Sequence, residues 1–312
     1  MLLLFDTLSL VVGFVVVVAV GHALRATGRL PASAAHTLNT VVTDVTMPAL
    51  ILATLGARAI PAGAPRAVVA ATLGLGAALV LGTIAARALG AARPAQGAIA
   101  LTAGFSNTGF LGIPLVLALY PAAGEAGATA VLVDAFVTTL WLYTAGVFWA
   151  RRQGEGGESA PPILRLLATP ATVAVVAGLA MSLLGLHLPA PVARLATLLG
   201  GATVPLVFLA LGLRLDWKDV HGRLRPILAA SVIRLGIVPA VVFGVAVALG
   251  LRGPVRDATV LEAAMPSSMM AAVLADRYGC DGPLGTAAVV FTTLLGVLSI
   301  PLWVGFLHAV GP

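Results

Sequence analysis

The chain has 312 residues, of which 60% are hydrophobic and 10% are charged, and its mean hydropathy is +1.06. This composition excludes a soluble globular protein and leaves no room for a separate soluble domain. The net charge of +6 does not indicate nucleic-acid binding, because the Arg residues stand singly or in pairs between apolar runs, as in membrane loops. We therefore expect an all-α polytopic membrane protein, embedded in the lipid bilayer and without a cofactor.

The apolar runs predict ten transmembrane helices, since a crossing needs about 20 mostly apolar residues. The runs lie at 4–24, 38–55, 67–89, 98–119, 128–150, 164–184, 193–213, 226–249, 258–278 and 285–307. Loops that follow the odd-numbered spans hold most of the 18 Lys and Arg residues. The positive-inside rule then predicts a multi-pass protein of the inner (plasma) membrane, with both termini outside and the central loop in the cytoplasm.

The fourth predicted span is interrupted between Gly104 and Pro114 by small polar residues and glycines. Each backbone group that a proline or an unwound turn frees is costly in hydrocarbon unless protein, water or a solute satisfies it. Interrupted helices at membrane depth therefore usually line a site. We predict that Asn107 and Thr108 bind substrate through their side chains, that Gly109 allows close approach, and that Pro114 keeps the hydrogen-bond ladder open.

The ninth predicted span has an interruption of the same kind. Pro266 leaves the carbonyls before it without their usual donor, and Ser267 and Ser268 add hydroxyl groups. If the two interruptions cross, the exposed amides at a half-helix N-terminus attract an anion, whereas freed carbonyls suit a cation. These three residues are the predicted second half of a substrate site.

The two halves of the chain resemble each other at a shift of 157 residues, which carries Thr46 onto Thr203 and Pro48 onto Pro205. The same shift brings the interruption in the fourth span onto that in the ninth. A unit with an odd number of spans must be followed by one of opposite orientation, which is the plan of many secondary transporters. We predict two inverted five-helix repeats, at 1–150 and 164–312, joined by a cytoplasmic linker at 151–163.

Four ionisable side chains inside predicted spans are candidates for function, because a charge near the bilayer centre costs about 2.5–3.5 kcal/mol. Asp44 shares a helix face with Pro48, and Asp134 and Glu262 lie near the outer ends of their spans, where we expect them to face water. Arg234 lies deep in the eighth span. It either pairs with one of these acids and locks helices together, or holds a substrate carboxylate.

The interrupted spans carry recognisable motifs. Residues 107–114, Asn-Thr-Gly-Phe-Leu-Gly-Ile-Pro, resemble the fourth-span signature of the auxin efflux carrier family. Residues 262–267 and 275–279 resemble its ninth-span signature, and residues 45–50 fit its second span. The resemblance covers essentially the whole chain. Because the long hydrophilic central loop of the plant carriers is absent, the chain is similar to the compact bacterial type.

This resemblance implies a fold shared with the bile acid/sodium symporters. Spans one, two, six and seven would form a scaffold, and the other six a transport domain in which the two broken helices, of spans four and nine, cross. Family members export small organic anions such as auxin or dicarboxylates like malate, commonly as homodimers, by moving the transport domain against the scaffold. In the related symporters an acid in the ninth span helps to bind sodium, and Glu262 lies at a similar place. The implied crossing comprises Asn107, Thr108, Gly109 and Pro114 with Pro266, Ser267 and Ser268.

The leading hypothesis is therefore a carrier that exports a small organic anion by alternating access, with Arg234 as a further anion ligand. The alternative is a cation-coupled symporter or antiporter that uses Asp44, Asp134 or Glu262 as its sodium or proton site. An enzyme is not expected, because residues 104–109 lack the Gly-x-Ser-x-Gly spacing that presents a nucleophile.

Overall fold

The computed structural model describes residues 2–56, 60–121, 124–155, 169–214 and 223–311, and these residues contain helices but no strand. We number the helices in chain order, and the two helices on either side of an interruption have separate numbers. They are α1 (Leu2–Ala26), α2 (Ala34–Leu55), α3 (Ala64–Ala88), α4 (Arg93–Gly104), α5 (Thr108–Leu119), α6 (Gly124–Gln153), α7 (Pro170–Leu184), α8 (Ala190–Leu213), α9 (Leu224–Ala248), α10 (Gly253–Ala264), α11 (Met269–Arg277) and α12 (Gly282–Val310).

Six of the described helices are long and apolar enough to cross a membrane: α2, α3, α6, α8, α9 and α12. The prediction of an all-helical, multi-pass membrane protein is therefore confirmed, while the count of ten crossings stays a prediction. The predicted linker at 151–163 lies outside the described residues from position 156 onward, as do residues 164–168 of the predicted sixth span.

Both predicted interruptions separate two short helices. After α4, Phe105 is extended (φ −96°, ψ 117°), and α5 begins at Thr108. After α10, Met265 is extended (φ −65°, ψ 147°), and the Oγ of Ser268 accepts a hydrogen bond from the Met270 N–H to cap α11. A serine in this position satisfies an amide that the new helix cannot pair internally, so the sequence itself specifies where α11 begins.

Prolines account for three of the wider π-helical turns inside the described helices, whereas the two such turns in α6 contain no proline. Such turns precede Pro48 in α2, Pro114 in α5 and Pro239 in α9. Proline lacks an N–H and its ring displaces the carbonyl four residues earlier, so the preceding turn widens instead of continuing the regular ladder. The prolines therefore alter these helices locally without ending them.

The helices pack in two groups. In the first, α1 lies against α8, and α2 lies against α7 and α8. The α1 and α8 backbones meet at Gly21 and Gly212, where a Cβ on Gly212 would stand 2.9 Å from the Gly21 Cα, so glycine permits this close approach. In the second group, α3 packs on α4 and α9, and α10 packs on α9, α6 and α3. The interrupted segments lie at the centre of the second group.

Candidate functional site

The two interruptions lie side by side and pair with each other. Ser106 and Ser267 form an isolated antiparallel bridge. The N–H of Asn107 donates to the carbonyl of Pro266 over 2.7 Å, and the N–H of Ser268 donates to the carbonyl of Phe105 over 2.8 Å. Backbone groups that lost their helical partners therefore find partners in the other interruption, which removes the cost of exposing them in a membrane.

Ser267 is held inside this meeting point. Its Oγ donates to the carbonyl of Thr102 over 2.7 Å, its N–H donates to Oγ1 of Thr292 over 3.1 Å, and its side chain is fully buried. These bonds tie the second interruption to α4 and to α12. Ser267, a predicted substrate ligand, thus links the second interruption to two helices, and it lines neither of the polar cavities described below.

Arg234 binds the carbonyl ends of both half-helices that lead into the interruptions. Its Nη1 donates to Ala103 and Gly104 at the end of α4, over 3.1 and 2.7 Å, and its Nη2 donates to the carbonyl of Ala263 at the end of α10. The C-terminus of a helix carries a partial negative charge, so a cation is favourable there. The side chain is 1% exposed, which agrees with the prediction of a deep position. Among the described residues it forms no ion pair with the predicted acids, so it locks helices through carbonyls rather than through a carboxylate.

Asp134 of α6 occupies the opposite kind of helix end, the start of α5. The hydroxyl of Thr108 donates to its Oδ1 over 2.5 Å, and the backbone of Gly109 adds a further hydrogen bond. A Cβ on Gly109 would stand 3.0 Å from the same oxygen, so glycine is what admits the carboxylate. The start of a helix carries a partial positive charge, and the sequence predicted that it would attract an anion. At the start of α5, Asp134 already compensates this charge.

Glu262 of α10 is fully buried, and neither of its carboxylate oxygens has a hydrogen-bond partner in the part of the chain that the structure describes. The expectation that it faces water is wrong, because α10 packs on all sides and the acid points into the helix bundle. A Cβ on Gly112 of α5 would overlap the carboxylate. Glu262, Arg234, Ser106 and Thr138 all line one small cavity of about 20 Å³, which we call the inner cavity.

Two larger cavities open on the meeting point from the side of α2. Cavity A, about 280 Å³, lies between α2 and α8 on one side and α5, α11 and α12 on the other. Cavity B, about 390 Å³, lies between α2, α5, α6 and α7. The two share Thr43, Asn107, Phe110 and Met270. Asn107 is thus a residue predicted to bind substrate that lines both cavities.

The predicted site residues separate into two sets. Those that line cavity B are Asn107, Thr108, Gly109, Ser268, Asp44 and Asp134. The others lie elsewhere: Pro266 lines an apolar cavity beside α1 and α8, Arg234 and Glu262 line the inner cavity, and Pro114 is buried in α5 and lines none of these.

Sequence reasoning missed a polar stripe along α2 that faces cavity A. The stripe consists of His36, Asn39, Thr40 and Thr43, and all four line the cavity. Their spacing of three, four and seven residues puts them on one helix face inside an otherwise apolar run. That periodicity was the available signal. Phe110 lies between Gly109 and Gly112 of the motif and lines both cavities. It was missed because its sequence position suggests a side chain that faces lipid.

The cavities combine polar groups with apolar walls and carry little positive charge. Among the described lining residues there is no Arg or Lys, and cavity B includes the two acids Asp44 and Asp134. The start of α11 also opens here, since Ser268 lines cavity B, Met269 lines cavity A and Met270 lines both. Within the described parts of the chain, no carboxylate is hydrogen-bonded to that helix start. The favourable place for one negative charge is therefore the start of α11 beside Asn107.

Long apolar helices around internal polar cavities define a membrane transport protein. A model of the membrane transport protein family matches residues 7–304. The chain belongs to this family, the auxin efflux carrier family, as its motifs predict. It is a family of membrane transporters and not of enzymes.

The relatives agree with this assignment. An uncharacterized transporter of Methanothermobacter thermautotrophicus is 31% identical over 303 residues, which cover 94% of this chain and 96% of the relative. An uncharacterized transporter of Methanocaldococcus jannaschii is 30% identical over 215 residues, or 66% of this chain and 67% of the relative. A probable auxin efflux carrier component 5a of Oryza sativa subsp. japonica is 35% identical over 75 residues, or 24% of this chain and 20% of the relative.

Proposed function

We propose that this protein is a secondary transporter that exports a small organic monocarboxylate with an apolar body, by alternating access. The observation that carries the proposal is the position of Asn107. It lies at the meeting point of the interrupted helices, next to the start of α11, and lines both cavities. An amide beside a helix N-terminus offers donors to a carboxylate without introducing a fixed charge.

The proposed architecture is two inverted five-helix repeats, with α4–α5 and α10–α11 as crossing broken helices. The antiparallel pairing of the two interruptions supports it. In this proposal α1, α2, α7 and α8 form the scaffold and the remaining helices form the transport domain. The packing of α1 and α2 on α8 supports that division. Cavity A would then lie between the two domains, where relative movement can open it to either side.

The walls of cavity A favour one carboxylate and an apolar body over a dicarboxylate. Phe110, Leu111, Val207, Leu211 and Val273 supply apolar surface, opposite the polar stripe of α2. A second carboxylate would lose its hydration without gaining a basic partner, and in cavity B it would approach Asp44 and Asp134. Auxin, named in the rice relatives, has this single-carboxylate, aromatic chemistry, whereas malate does not.

A cation-coupled carrier without an organic substrate is the second candidate, and the acids Asp44 and Asp134 of cavity B favour it. The two candidates differ in what moves. A carrier of this second kind would exchange sodium or protons in liposomes that contain no organic anion, whereas an organic anion exporter would not.

The test uses the purified chain in liposomes loaded with the unlabelled anion, or with buffer alone when cation fluxes are measured. Radiolabelled indole-3-acetate and malate are offered separately as probes, and sodium and proton fluxes are recorded without either. We expect saturable exchange of indole-3-acetate, little of malate, and no cation exchange in the absence of the anion. Equal exchange of malate would overturn the substrate class. Cation exchange without any organic anion would favour the second candidate.

A further inference from the structure

Glu262 is a buried acid without a visible partner. Its side chain is fully buried, and neither carboxylate oxygen has a hydrogen bond to the described residues. Keeping an ionised carboxylate in such surroundings is strongly unfavourable, since no donor from the described residues compensates its charge. Taking up a proton removes the charge, so the carboxylic acid is the form that this site accommodates.

The charged groups around Glu262 do not neutralise it in another way. From α9, Arg234 faces the inner cavity, but its Nη1 and Nη2 are bound to carbonyls and its Nε has no partner. From α6, Asp134 faces the start of α5 and adds negative charge. From α3, Ala71 and Leu75 line the cavity, and α5 contributes Gly112. The titratable residue of α12, His308, is stacked on Tyr120 at the end of that helix.

The inner cavity offers few ligands for a sodium ion. Sodium is held by several oxygen ligands at once, but apart from Glu262 the inner cavity offers mainly the hydroxyls of Ser106 and Thr138 among apolar side chains. The nearby carbonyls of Ala103, Gly104 and Ala263 already accept from Arg234.

The inner cavity and cavity B share two lining residues that carry hydroxyl groups. Ser106 and Thr138 line both spaces. Their hydroxyls can accept and donate hydrogen bonds, so together with water in the cavity they can pass a proton between cavity B and Glu262. In this step a hydronium ion in cavity B gives its proton to the Glu262 carboxylate, and water and the neutral acid remain.

We propose that Glu262 is the proton-binding site that couples transport to the pH gradient, and that Arg234 permanently supplies the positive charge that a bound metal cation would otherwise bring to the meeting point. The proposal rests on the proposed function and deepens it. Glu262 exchanges its proton through cavity B, and sodium is not required.

The first test examines the protonation state and needs no transport. Infrared spectra of the purified full chain at neutral pH are compared for the wild type, Glu262→Gln and Asp134→Asn. We expect a carbonyl stretching band of a protonated carboxylic acid in the wild type and in Asp134→Asn, and its loss in Glu262→Gln. If the wild type lacks the band, or if Glu262→Gln keeps it, the proposal is overturned, whatever the substrate proves to be.

The second test separates coupling from transport, with indole-3-acetate as the probe in liposomes. Exchange at equal pH on both sides requires no proton movement, whereas accumulation driven by a pH gradient does. We expect Glu262→Gln to keep the exchange within about twofold of wild type and to lose the gradient-driven accumulation, a change on the order of tenfold or more. Glu125→Gln, an exposed acid at the start of α6, is the matched control and should retain both activities.

The wild type alone also tests the proposal, independently of how the variants fold. Replacing sodium by choline should leave gradient-driven accumulation by the wild type unchanged. Sodium-dependent accumulation, or gradient-driven accumulation by Glu262→Gln, would overturn the proton assignment. Absence of any indole-3-acetate exchange by the wild type would instead count against the proposed function, and the infrared result would still decide the protonation of Glu262.

Discussion

The hydroxyl of Thr203 donates a hydrogen bond to the hydroxyl of Thr46 over 3.0 Å, and the two residues are 157 positions apart in the chain. That separation equals the shift at which the two halves resemble each other. Residues related by a two-fold axis can touch only where they lie close to that axis. The contact therefore supports the proposed inverted repeat and marks where its axis would pass, between α2 and α8.

The Thr46–Thr203 pair provides a test of stability. Both side chains are buried, so a single Thr→Val substitution removes the hydrogen-bond partner of the other hydroxyl. We expect this to lower the free energy of unfolding by about 1–3 kcal/mol. The double substitution removes both hydroxyls and should cost less than the sum of the single changes. Unfolding titrations in mixed micelles would measure this coupling, expected at about 0.5–1.5 kcal/mol. Strict additivity would show that the hydrogen bond contributes nothing.

Asn107→Ala should reduce transport strongly without unfolding the protein. The substitution removes the amide that lines both cavities but leaves the backbone bond from Asn107 to Pro266 in place. We expect the rate of exchange to fall about tenfold or more, because the carboxylate of the substrate loses a hydrogen bond that contributes about 1.5–3 kcal/mol. Thr197→Ala is the control, since its exposed hydroxyl bonds only to the carbonyl of Ala193 in its own helix. Wild-type exchange by a well-folded Asn107→Ala would contradict the site assignment.

Gly112→Ala should destabilise the protein through Glu262. Its new methyl group would overlap the carboxylate, and overpacking of this kind costs about 1–3 kcal/mol. Gly244→Ala in α9 meets nothing within 4 Å and should leave stability unchanged or raise it slightly. The double variant Gly112→Ala with Glu262→Ala should recover part of the loss, because the overlap disappears. Thermal unfolding in detergent measures all four proteins, and no recovery in the double variant would argue against this contact.

Arg234→Met should destabilise the folded protein by several kcal/mol, on the order of 3–5, because three carbonyls at two helix ends lose their donor together. Arg234→Lys keeps the charge but cannot span both helix ends with a planar fork, so an intermediate loss is expected. Arg225→Met changes an exposed arginine of the same helix and serves as the control. A folded yield and melting temperature equal to wild type in Arg234→Met would show that the carbonyl contacts are dispensable.

Much of the fold follows from local sequence, as the two interruptions illustrate. Extended backbone at 105 and 265 coincides with the glycines, polar residues and Pro266 that predicted it. The polar stripe from His36 to Thr43 could have been found by the same reasoning, because its helical period is present in the sequence. The role of Ser267 could not have been found in this way. Its side chain bonds to Thr102, 165 residues away, and its backbone N–H bonds to Thr292, 25 residues away.

By itself the sequence determined that this is a multi-pass helical membrane protein of the auxin efflux carrier family, and where its helices are interrupted. Hydropathy and helix-breaking chemistry act over a few neighbouring residues, so they can be read along the chain. Only the tertiary structure decided what the buried charges do. It turned Arg234 toward two sets of carbonyls, put Asp134 at the start of α5 and left Glu262 without a hydrogen-bond partner among the described residues. The physical reason is that the energy of a buried charge depends on groups from distant segments, and only folding brings those groups together.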